Sequence, residues 1–217
     1  MTRNYNRRYA KEYGFLATMF FKIFLRTVVD LVFKYCYKYE IIGKENLPKD
    51  GKKYLYSGNH LSYFDPPIVA FVARKNIAFM AKEELFNDKS KLLSWLVIHL
   101  GAFAVNRNKP ELSTFKTLKE LMQTPWDLGV FPQGGTFPYG SNIYEVKKGF
   151  AIIAKRAKID IVPMAIADFT GYPKSLKFKE QSFKVYIGEP ISHELDEDEI
   201  TKRWCDFIYK HADYKNS

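Results

Sequence analysis

The sequence predicts an α/β fold, in which helices flank a mixed central sheet and an amphipathic helical membrane-contact segment comes first. Short β-branched and aromatic runs alternate with segments of helical period, as in layered α/β domains. The length of 217 residues suits one domain with a small appendage. We therefore expect an interfacial helical segment over residues 1–40 and an α/β domain over residues 41–217.

The first predicted element is a helix over residues 13–40. Its charged residues recur at every fourth position: Lys22, Arg26, Asp30, Lys34 and Lys38. Phe, Leu, Ile, Val and Tyr fill most positions between them. The predicted helix is therefore apolar over most of its surface, with a narrow and mostly cationic stripe along one side. A helix lying in a membrane interface has this character. The alternative is a helix that packs on the core and exposes the stripe to solvent.

The later elements alternate between the two types. Apolar runs bounded by Gly, Pro or polar residues predict strands over 40–43, 54–57, 77–80, 102–105, 127–131, 159–166 and 182–187. Segments of helical period predict helices over 66–73, 92–100, 110–123, 148–157 and 197–209. Proline is tolerated in a first helical turn, as at Pro66, and Gly101 is a normal helix stop. Ligand sites in such folds gather at the ends of strands.

The net charge of +10 lies in the first half of the chain. Residues 1–110 hold 19 Lys and Arg against 9 Asp and Glu, whereas residues 111–217 hold 15 of each. Clustered basic charge suggests an anionic partner. The candidates are a phosphate group, a nucleic acid and an anionic lipid. No nucleic-acid-binding motif is present, and the charges follow a helical period among apolar residues. A membrane lipid surface is therefore the expected partner, and nucleic acid is not.

Several classes of protein and site are excluded by what the sequence lacks. Cys36 and Cys205 lie far apart without metal-ligand spacing, which favours reduced thiols in a cytoplasmic protein. We find no zinc pattern, Walker loop or dinucleotide fingerprint, so we expect no metal and no cofactor. No secretory signal is evident, and no window reaches the roughly 18 apolar residues of a spanning helix. We expect a peripheral or monotopic protein on the cytoplasmic face of a membrane.

The candidate catalytic pair is His60 and Asp65, in a segment that opens with Asn59 and follows a predicted strand. Histidine is readily a base at neutral pH, and a nearby carboxylate fixes its tautomer and stabilises its cation. No serine or cysteine nucleophile motif accompanies the pair. His60 is therefore predicted to act directly on a substrate hydroxyl. In isolation, a loop histidine near a turn-capping aspartate would explain the same pattern.

Further short motifs follow this pair in order. They are Gly101 to Arg107, then Phe131-Pro132-Gln133-Gly134-Gly135-Thr136, then Val162-Pro163. With them the chain resembles the glycerolipid acyltransferase family, which includes the bacterial 1-acylglycerol-3-phosphate acyltransferases. That family carries Asn-His-x-Ser-x-x-Asp, Gly-x-x-x-x-x-Arg, Phe-Pro-Glu-Gly-Thr-Arg and a Val-Pro segment. The resemblance covers about residues 40–192.

The resemblance implies an enzyme that transfers a fatty acyl group to the hydroxyl of a lysophospholipid. Acyl-CoA or acyl-carrier protein is the implied donor, and 1-acylglycerol-3-phosphate is the leading acceptor, which would give phosphatidic acid. His60 is the implied general base, and Asp65 orients it. The alternatives are transfer to a different lysolipid or lipid-linked hydroxyl, and a non-catalytic lipid-binding homologue.

The third motif, Phe131 to Thr136, departs from the family pattern. Gln133 replaces the glutamate of the family, and the arginine of the family is missing. We expect Arg107 to bind phosphate bidentately. Lys147 and Lys148, just downstream, are the candidates to compensate for the missing arginine as point charges, and the alternative is that both are solvated lysines at the start of a helix. Gly134 and Gly135 let main-chain N–H groups approach an oxyanion or phosphate. The predicted substrate-binding set is completed by Asn59, Ser62, Gln133 and Thr136, where Ser62 bonds either the loop or the ligand.

Overall fold

A computed structural model of the chain describes residues 7–87, 90–105, 112–136, 146–170 and 179–212. Within these ranges the chain forms one seven-stranded sheet. The strands are β1 (Tyr37–Ile42), β2 (Tyr54–Gly58), β3 (Ile77–Lys82), β4 (Phe103–Val105), β5 (Asp127–Val130), β6 (Asp160–Ala167) and β7 (Gln181–Ile187).

The sheet is mixed, in agreement with the prediction. Its strand order is β1-β7-β6-β2-β5-β3-β4, and only the pairing of β6 with β7 is antiparallel. Strand β2 is central, since Ser57 pairs with Val130 of β5 on one side and with Pro163 of β6 on the other. The carboxyl ends of β2, β3, β4, β5 and β6 therefore lie along the same edge of the sheet.

Seven helices within the described ranges accompany the sheet. They are α1 (Phe15–Phe24), α2 (Asp30–Cys36), α3 (Asp65–Ala73), α4 (Lys91–His99), α5 (Leu112–Leu121), α6 (Gly149–Ala157) and α7 (Glu197–His211). A π-helical turn, Leu25–Val29, joins α1 to α2, so that helical backbone runs continuously from Phe15 to Cys36. We call this run the N-terminal helix.

The predicted first helix is wrong at its end. It was expected to reach residue 40, but it stops at Cys36, and Tyr37 begins β1. Lys38, which continues the four-residue spacing of the charges, pairs with Ser182 of β7. The partner strand lies far along the sequence, so a local pattern does not reveal it. The expected division at residue 40 falls inside β1, and the other predicted elements are confirmed to within a few residues.

The N-terminal helix shares its core with the sheet. Phe21 packs on Trp126 with ring centroids 4.9 Å apart, and Phe33 packs edge-on against Phe71 and Phe183 at 5.1 and 5.2 Å. Burying each such ring contributes roughly 1.5–3 kcal/mol. The opposite face exposes the large apolar residues Phe15, Leu16, Met19, Ile23, Val28 and Leu31. The helix therefore has two apolar faces, of which one packs against the core and the other is exposed.

No helix in the described ranges combines the length and hydrophobicity that crossing a bilayer requires.

Helix α3 is held in place at both ends. Pro66 and Pro67 occupy its first turn, where their missing N–H groups cost no helical hydrogen bond. It ends at Arg74, which has left-handed backbone at φ 55°. The Arg74 guanidinium bonds both carboxylate oxygens of Asp30 at 2.8 and 2.7 Å, which ties α3 to α2. This exposed ion pair adds to the buried contact of Phe33 with Phe71, which also joins the N-terminal helix to α3.

Gly101, after α4, has φ +80°, and a Cβ there would lie 2.4 Å from the Trp126 ring. We expect Gly101→Ala to lower the free energy of unfolding by about 2–4 kcal/mol, because it adds backbone strain to overpacking. Gly51→Ala is the control, since Gly51 has φ +75° but nothing within 4 Å of a Cβ, and should cost about 1 kcal/mol. Urea unfolding followed by circular dichroism measures both. Equal losses in the two variants would contradict the predicted clash.

Candidate active site

His60 lies two residues beyond the carboxyl end of β2 and is paired with Asp65, the first residue of α3. His60 Nδ1 is 2.6 Å from Asp65 Oδ2. The Asp65 side chain is fully buried, whereas 13% of the His60 side chain is exposed. An ionised carboxylate only accepts hydrogen bonds, so Nδ1 carries a proton and, in the neutral ring, Nε2 carries the free lone pair. This is the tautomer that a general base requires.

The carboxylate of Asp65 also organises the loop between β2 and α3. Its Oδ2 accepts hydrogen bonds from the main-chain N–H groups of Leu61 at 2.6 Å and Ser62 at 2.7 Å. Its Oδ1 accepts one from the Ser62 hydroxyl at 3.2 Å. A buried charge is tolerated when it is hydrogen-bonded in this way. Asp65 therefore holds the loop and the imidazole with the same two oxygens.

The imidazole of His60 is stacked on an aromatic ring. The ring centroids of His60 and Phe131 are 4.4 Å apart with an interplanar angle of 18°, and Phe131 in turn stacks on Phe79 at 5.6 Å and 9°. Gly129 makes this possible, because a Cβ there would lie 2.4 Å from the Phe79 ring. Stacking fixes the plane of the imidazole, while Asp65 fixes its rotation within that plane.

The third motif touches the first through the main chain of His60. The His60 N–H donates to Oε1 of Gln133 at 2.6 Å. Gln133 is in a tight turn in which the Gly134 N–H bonds the Phe131 carbonyl at 3.2 Å. Pro132 occupies the second position of this turn, which its fixed φ favours. Two motifs that are far apart in sequence are thus joined by one hydrogen bond.

Asn59 and Ser62 lie in the framework of the site. The Asn59 amide is fully buried and exchanges two hydrogen bonds with the main chain of Ile166, at 2.9 and 2.7 Å. The Ser62 hydroxyl accepts from the Phe64 N–H at 3.0 Å in addition to bonding Asp65. A side-chain amide can substitute for a peptide group, so Asn59 extends the contact between β2 and β6. Substrate binding by either residue remains a prediction.

A cavity of about 450 Å³ adjoins His60. Its walls come from the N-terminal helix, α3, α4 and the rings of Phe79 and Phe131. Apart from His60 and Tyr63, all the lining residues are apolar. The imidazole thus faces a volume that excludes charged groups and accommodates hydrocarbon.

A smaller cavity of about 170 Å³ is lined by Gly134 and Lys147 on one side, and Phe131 lines both cavities. A Cβ placed on Gly134, which has φ +72°, would lie 3.5 Å from Lys147 Cε, and the Lys147 N–H bonds the Pro132 carbonyl at 3.1 Å. Lys147 therefore lies against the third motif, as the sequence suggested. The neighbouring Lys148 instead forms an ion pair with Asp198 of α7.

The remaining predicted residues are placed as follows. Gly135 is half-buried and Thr136 is exposed, immediately after Gly134 in the third motif. Strand β4 ends at Val105, on the edge of the sheet where β2 and β5 also end. Arg107 itself lies outside the described residues, so its expected phosphate contact remains a prediction.

The described residues contain no group of three or more His, Cys, Asp or Glu side chains that could hold a metal ion.

The fold and these motifs match known proteins. A family model described as Acyltransferase matches residues 38–167, which is more than half of the chain. The chain belongs to the acyltransferase family. The resemblance that the motifs indicated is thereby confirmed, and the matched segment contains His60, Asp65 and Gln133.

Two relatives of this acyltransferase are named 1-acyl-sn-glycerol-3-phosphate acyltransferase. The protein from Streptococcus pneumoniae is 32% identical over 151 residues, which cover 68% of this chain and 53% of that protein. The protein from Bacillus subtilis is 32% identical over 160 residues, covering 72% of this chain and 75% of that protein. The match therefore spans about half the length of the first relative and three quarters of the second.

A solved structure shares the fold. The crystal structure of the 1-acyl-sn-glycerophosphate (LPA) acyltransferase, PlsC, from Thermotoga maritima aligns with a TM-score of 0.60 and 26% identity. The alignment covers 88% of this chain and 76% of that chain. It supports the α/β fold with a mixed central sheet.

Sequence reasoning missed the stack of Phe79 and Phe131 beside His60. A signal was present, because Phe79 is directly opposite Gly129 in the pairing of β3 with β5. A glycine opposite an aromatic residue leaves room for the ring to lie flat over the neighbouring strand. The sequence shows both residue types, but that they lie opposite each other depends on the strand register, which only the structure reveals.

Asp65→Asn should lower the kcat of acyl transfer by about 10²–10⁴-fold, because an amide does not enforce the tautomer of His60. It should also cost about 1–3 kcal/mol of stability, since a buried amide N–H₂ would face the donors of the loop. Ser62→Ala, the control, removes the hydroxyl's bonds to Asp65 Oδ1 and to the Phe64 N–H but leaves the contact of Asp65 with His60, and it should change kcat by less than about tenfold. Steady-state kinetics and urea unfolding measure these effects, and undiminished kcat in Asp65→Asn would refute the role of Asp65.

Proposed function

We propose that this acyltransferase moves a fatty acyl group from a thioester to the hydroxyl of a lysophospholipid at a membrane surface. The observation that carries the proposal is that His60, oriented by Asp65, faces an apolar cavity of about 450 Å³. The names of the relatives favour 1-acylglycerol-3-phosphate as acceptor and hence phosphatidic acid as product. The donor is acyl-CoA or acyl-carrier protein.

The chemistry follows from the geometry of the pair. Nε2 of His60 takes the proton of the acceptor hydroxyl while that oxygen attacks the thioester carbonyl. Asp65 stabilises the imidazolium through Nδ1–H. A C–O bond forms, the C–S bond breaks, and the leaving thiolate takes the proton from the imidazolium. The mechanism needs no acyl-enzyme, and Ser62, the hydroxyl closest in sequence, is engaged by Asp65 and the Phe64 N–H.

The apolar cavity is the proposed site of the acyl chain. Each methylene that leaves water contributes about 0.8 kcal/mol, so an apolar cavity of this size binds a chain without any polar contact. The walls that contain Leu25 and Val28 of the N-terminal helix and Leu96 of α4 would enclose the chain, with the thioester carbonyl at His60.

Two exposed apolar surfaces flank this cavity and are the proposed membrane contact. On the N-terminal helix, Phe15 is 78% exposed, and on α4, Leu92 is 68% exposed and Trp95 is 43% exposed. Phe20 and Trp95 pack edge-on at 5.7 Å, which joins the two helices. Trp at a headgroup boundary and Leu or Phe among acyl chains suit an interfacial position. The basic first half of the chain favours the anionic cytoplasmic leaflet.

The acceptor headgroup is expected to lie beside the third motif. Lys147 beside Gly134, together with Arg107, would bind a phosphate, and the main-chain N–H groups of Gly134 and Gly135 would add donors. The missing arginine of the third motif removes a bidentate phosphate ligand, which favours a different lysolipid or lipid-linked hydroxyl as the second candidate. The 2.6 Å contact of His60 with Asp65 argues against a non-catalytic homologue.

The direct test incubates the purified full chain with radiolabelled acyl-CoA or acyl-carrier protein and a panel of lysolipids. We expect lysophosphatidic acid to be acylated, and His60→Ala to slow the reaction by about 10²–10⁴-fold. His193→Ala is a matched control, because His193 forms a second pair with Asp160, at 2.7 Å, at the opposite end of the sheet. It should leave the rate unchanged. Acylation of no acceptor, or an unimpaired His60→Ala, would refute the proposal.

The membrane contact is tested by substitution, because deleting the N-terminal helix would remove core residues such as Phe21 and Phe33. The double variant Phe15→Ser, Leu16→Ser should bind anionic liposomes at least about tenfold more weakly, since each side chain loses roughly 1.5–3 kcal/mol of burial in lipid. Leu112→Ser in α5 is the control, because Leu112 is as exposed as Phe15, at 78% each. Liposome flotation measures binding, and unchanged binding of the double variant would contradict the proposed surface.

A further inference from the structure

We propose that Gln133 is a positioning residue for His60, and that its neutral amide sets the pH range in which His60 acts as a base. The inference rests on the proposed role of His60 in acyl transfer. It concerns a position where the family pattern has a carboxylate and this chain has an amide.

The hydrogen bond between the two residues defines the contact. The His60 main-chain N–H can only donate, so the amide oxygen of Gln133, 2.6 Å away, must face it. Gln133 is 4% exposed and is in the turn closed by the bond from the Gly134 N–H to the Phe131 carbonyl. The main chain of His60 is thus fixed to the end of β5, while its imidazole is fixed to α3 by Asp65.

The same turn contacts His60 a second time, through the ring of Phe131 that stacks on the imidazole at 4.4 Å. Gln133 and Phe131 therefore set the position of the His60 backbone and the plane of its ring from one rigid unit. Displacing a catalytic group by about 1 Å can cost on the order of 10²-fold in rate. Removing the hydrogen bond between Gln133 and His60 is therefore expected to lower kcat more than it weakens substrate binding.

The amide is retained at a cost to stability. Gln133 Nε2 is buried and has no hydrogen-bond partner among the described residues. A buried donor without a partner costs about 1–3 kcal/mol. An apolar side chain at position 133 would remove the unpaired Nε2 donor. It would also leave the His60 N–H without a partner, at a similar cost, so the free energy of unfolding would change little. The net benefit of Gln133 is therefore expected in the position of His60 and not in stability.

The charge at this position matters because His60 is mostly buried. His60 is contacted by Asp65 from α3 and by Phe131 and Gln133 from the turn after β5. Tyr63 lines the same cavity, and Lys147 lies against Gly134 in that turn. Of these, Asp65 carries a carboxyl group and Lys147 an amine. A glutamate at position 133 would accept the same hydrogen bond and add a second negative charge, which would stabilise the imidazolium.

The experiment compares Gln133→Glu and Gln133→Met with the wild-type full chain, using radiolabelled acyl-CoA and lysophosphatidic acid across the acid and neutral pH range. Gln133→Met should lower kcat by about 10- to 100-fold at every pH, with the KM for the donor and the urea midpoint nearly unchanged. The plateau kcat of Gln133→Glu should stay within about threefold of the wild-type value. The acid limb of its pH–rate profile should move to higher pH by about one to two units.

Gln123→Glu makes the same charge change at an exposed glutamine after α5 and should reproduce the wild-type profile. The inference would be overturned if the acid limb of the pH–rate profile were the same in Gln133→Glu as in the wild type, or if kcat were unchanged in Gln133→Met. A purely structural role predicts instead that Gln133→Met loses stability in proportion to its loss of rate.

A readout without turnover separates this inference from the proposed function. Histidine-labelled protein observed by NMR gives the titration of the 4 histidines, and His60→Ala identifies the His60 signal. The midpoint for His60 should rise in Gln133→Glu and not in Gln123→Glu. An absence of acyl transfer by the wild type would refute the proposed function alone, whereas an unmoved His60 titration would refute the inference alone.

Discussion

The hydrogen bonds of the buried Asp65 carboxylate are the constraint on which the rest of the site depends. Two oxygens accept from the His60 ring, from the N–H groups of Leu61 and Ser62, and from the Ser62 hydroxyl. A charge in this position is stable only while these donors surround it, so the loop has little freedom. The same residue opens α3, which forms a wall of the large cavity. The position of the His60 imidazole and the shape of the cavity are therefore determined together.

The central position of β2 explains how distant motifs meet. Because β5 and β6 flank β2 and run parallel to it, residues after all three strands lie at one edge of the sheet. Asn59 bonds to β6 through Ile166, and the next residue, His60, bonds to the turn after β5 through Gln133. Parallel pairing thus converts three segments that are far apart in sequence into one small surface. The substitution of Gln133 for a glutamate preserves this connection, because the amide oxygen still accepts the bond.

Local pattern predicted most strands and helices and the contact between His60 and Asp65, since these depend on residues that are neighbours in sequence. The end of the first helix was missed, because Tyr37 and Lys38 become a strand only through pairing with Gln181 and Ser182 of β7. The Asn59 amide is bonded to Ile166, a partner that a motif does not reveal. The ring stack at His60 and both cavities likewise depend on strand register and on packing between distant segments.

The two apolar faces of the N-terminal helix have a thermodynamic consequence. One face packs Phe21 and Phe33 into the core, and the other exposes Phe15 and Leu16. Any surface that binds the exposed face only in the native protein stabilises that protein by mass action. Resistance to unfolding should therefore increase with the concentration of such a surface. Conversely, a core substitution that partly unfolds this helix would weaken binding of such a surface without altering any residue that makes the contact.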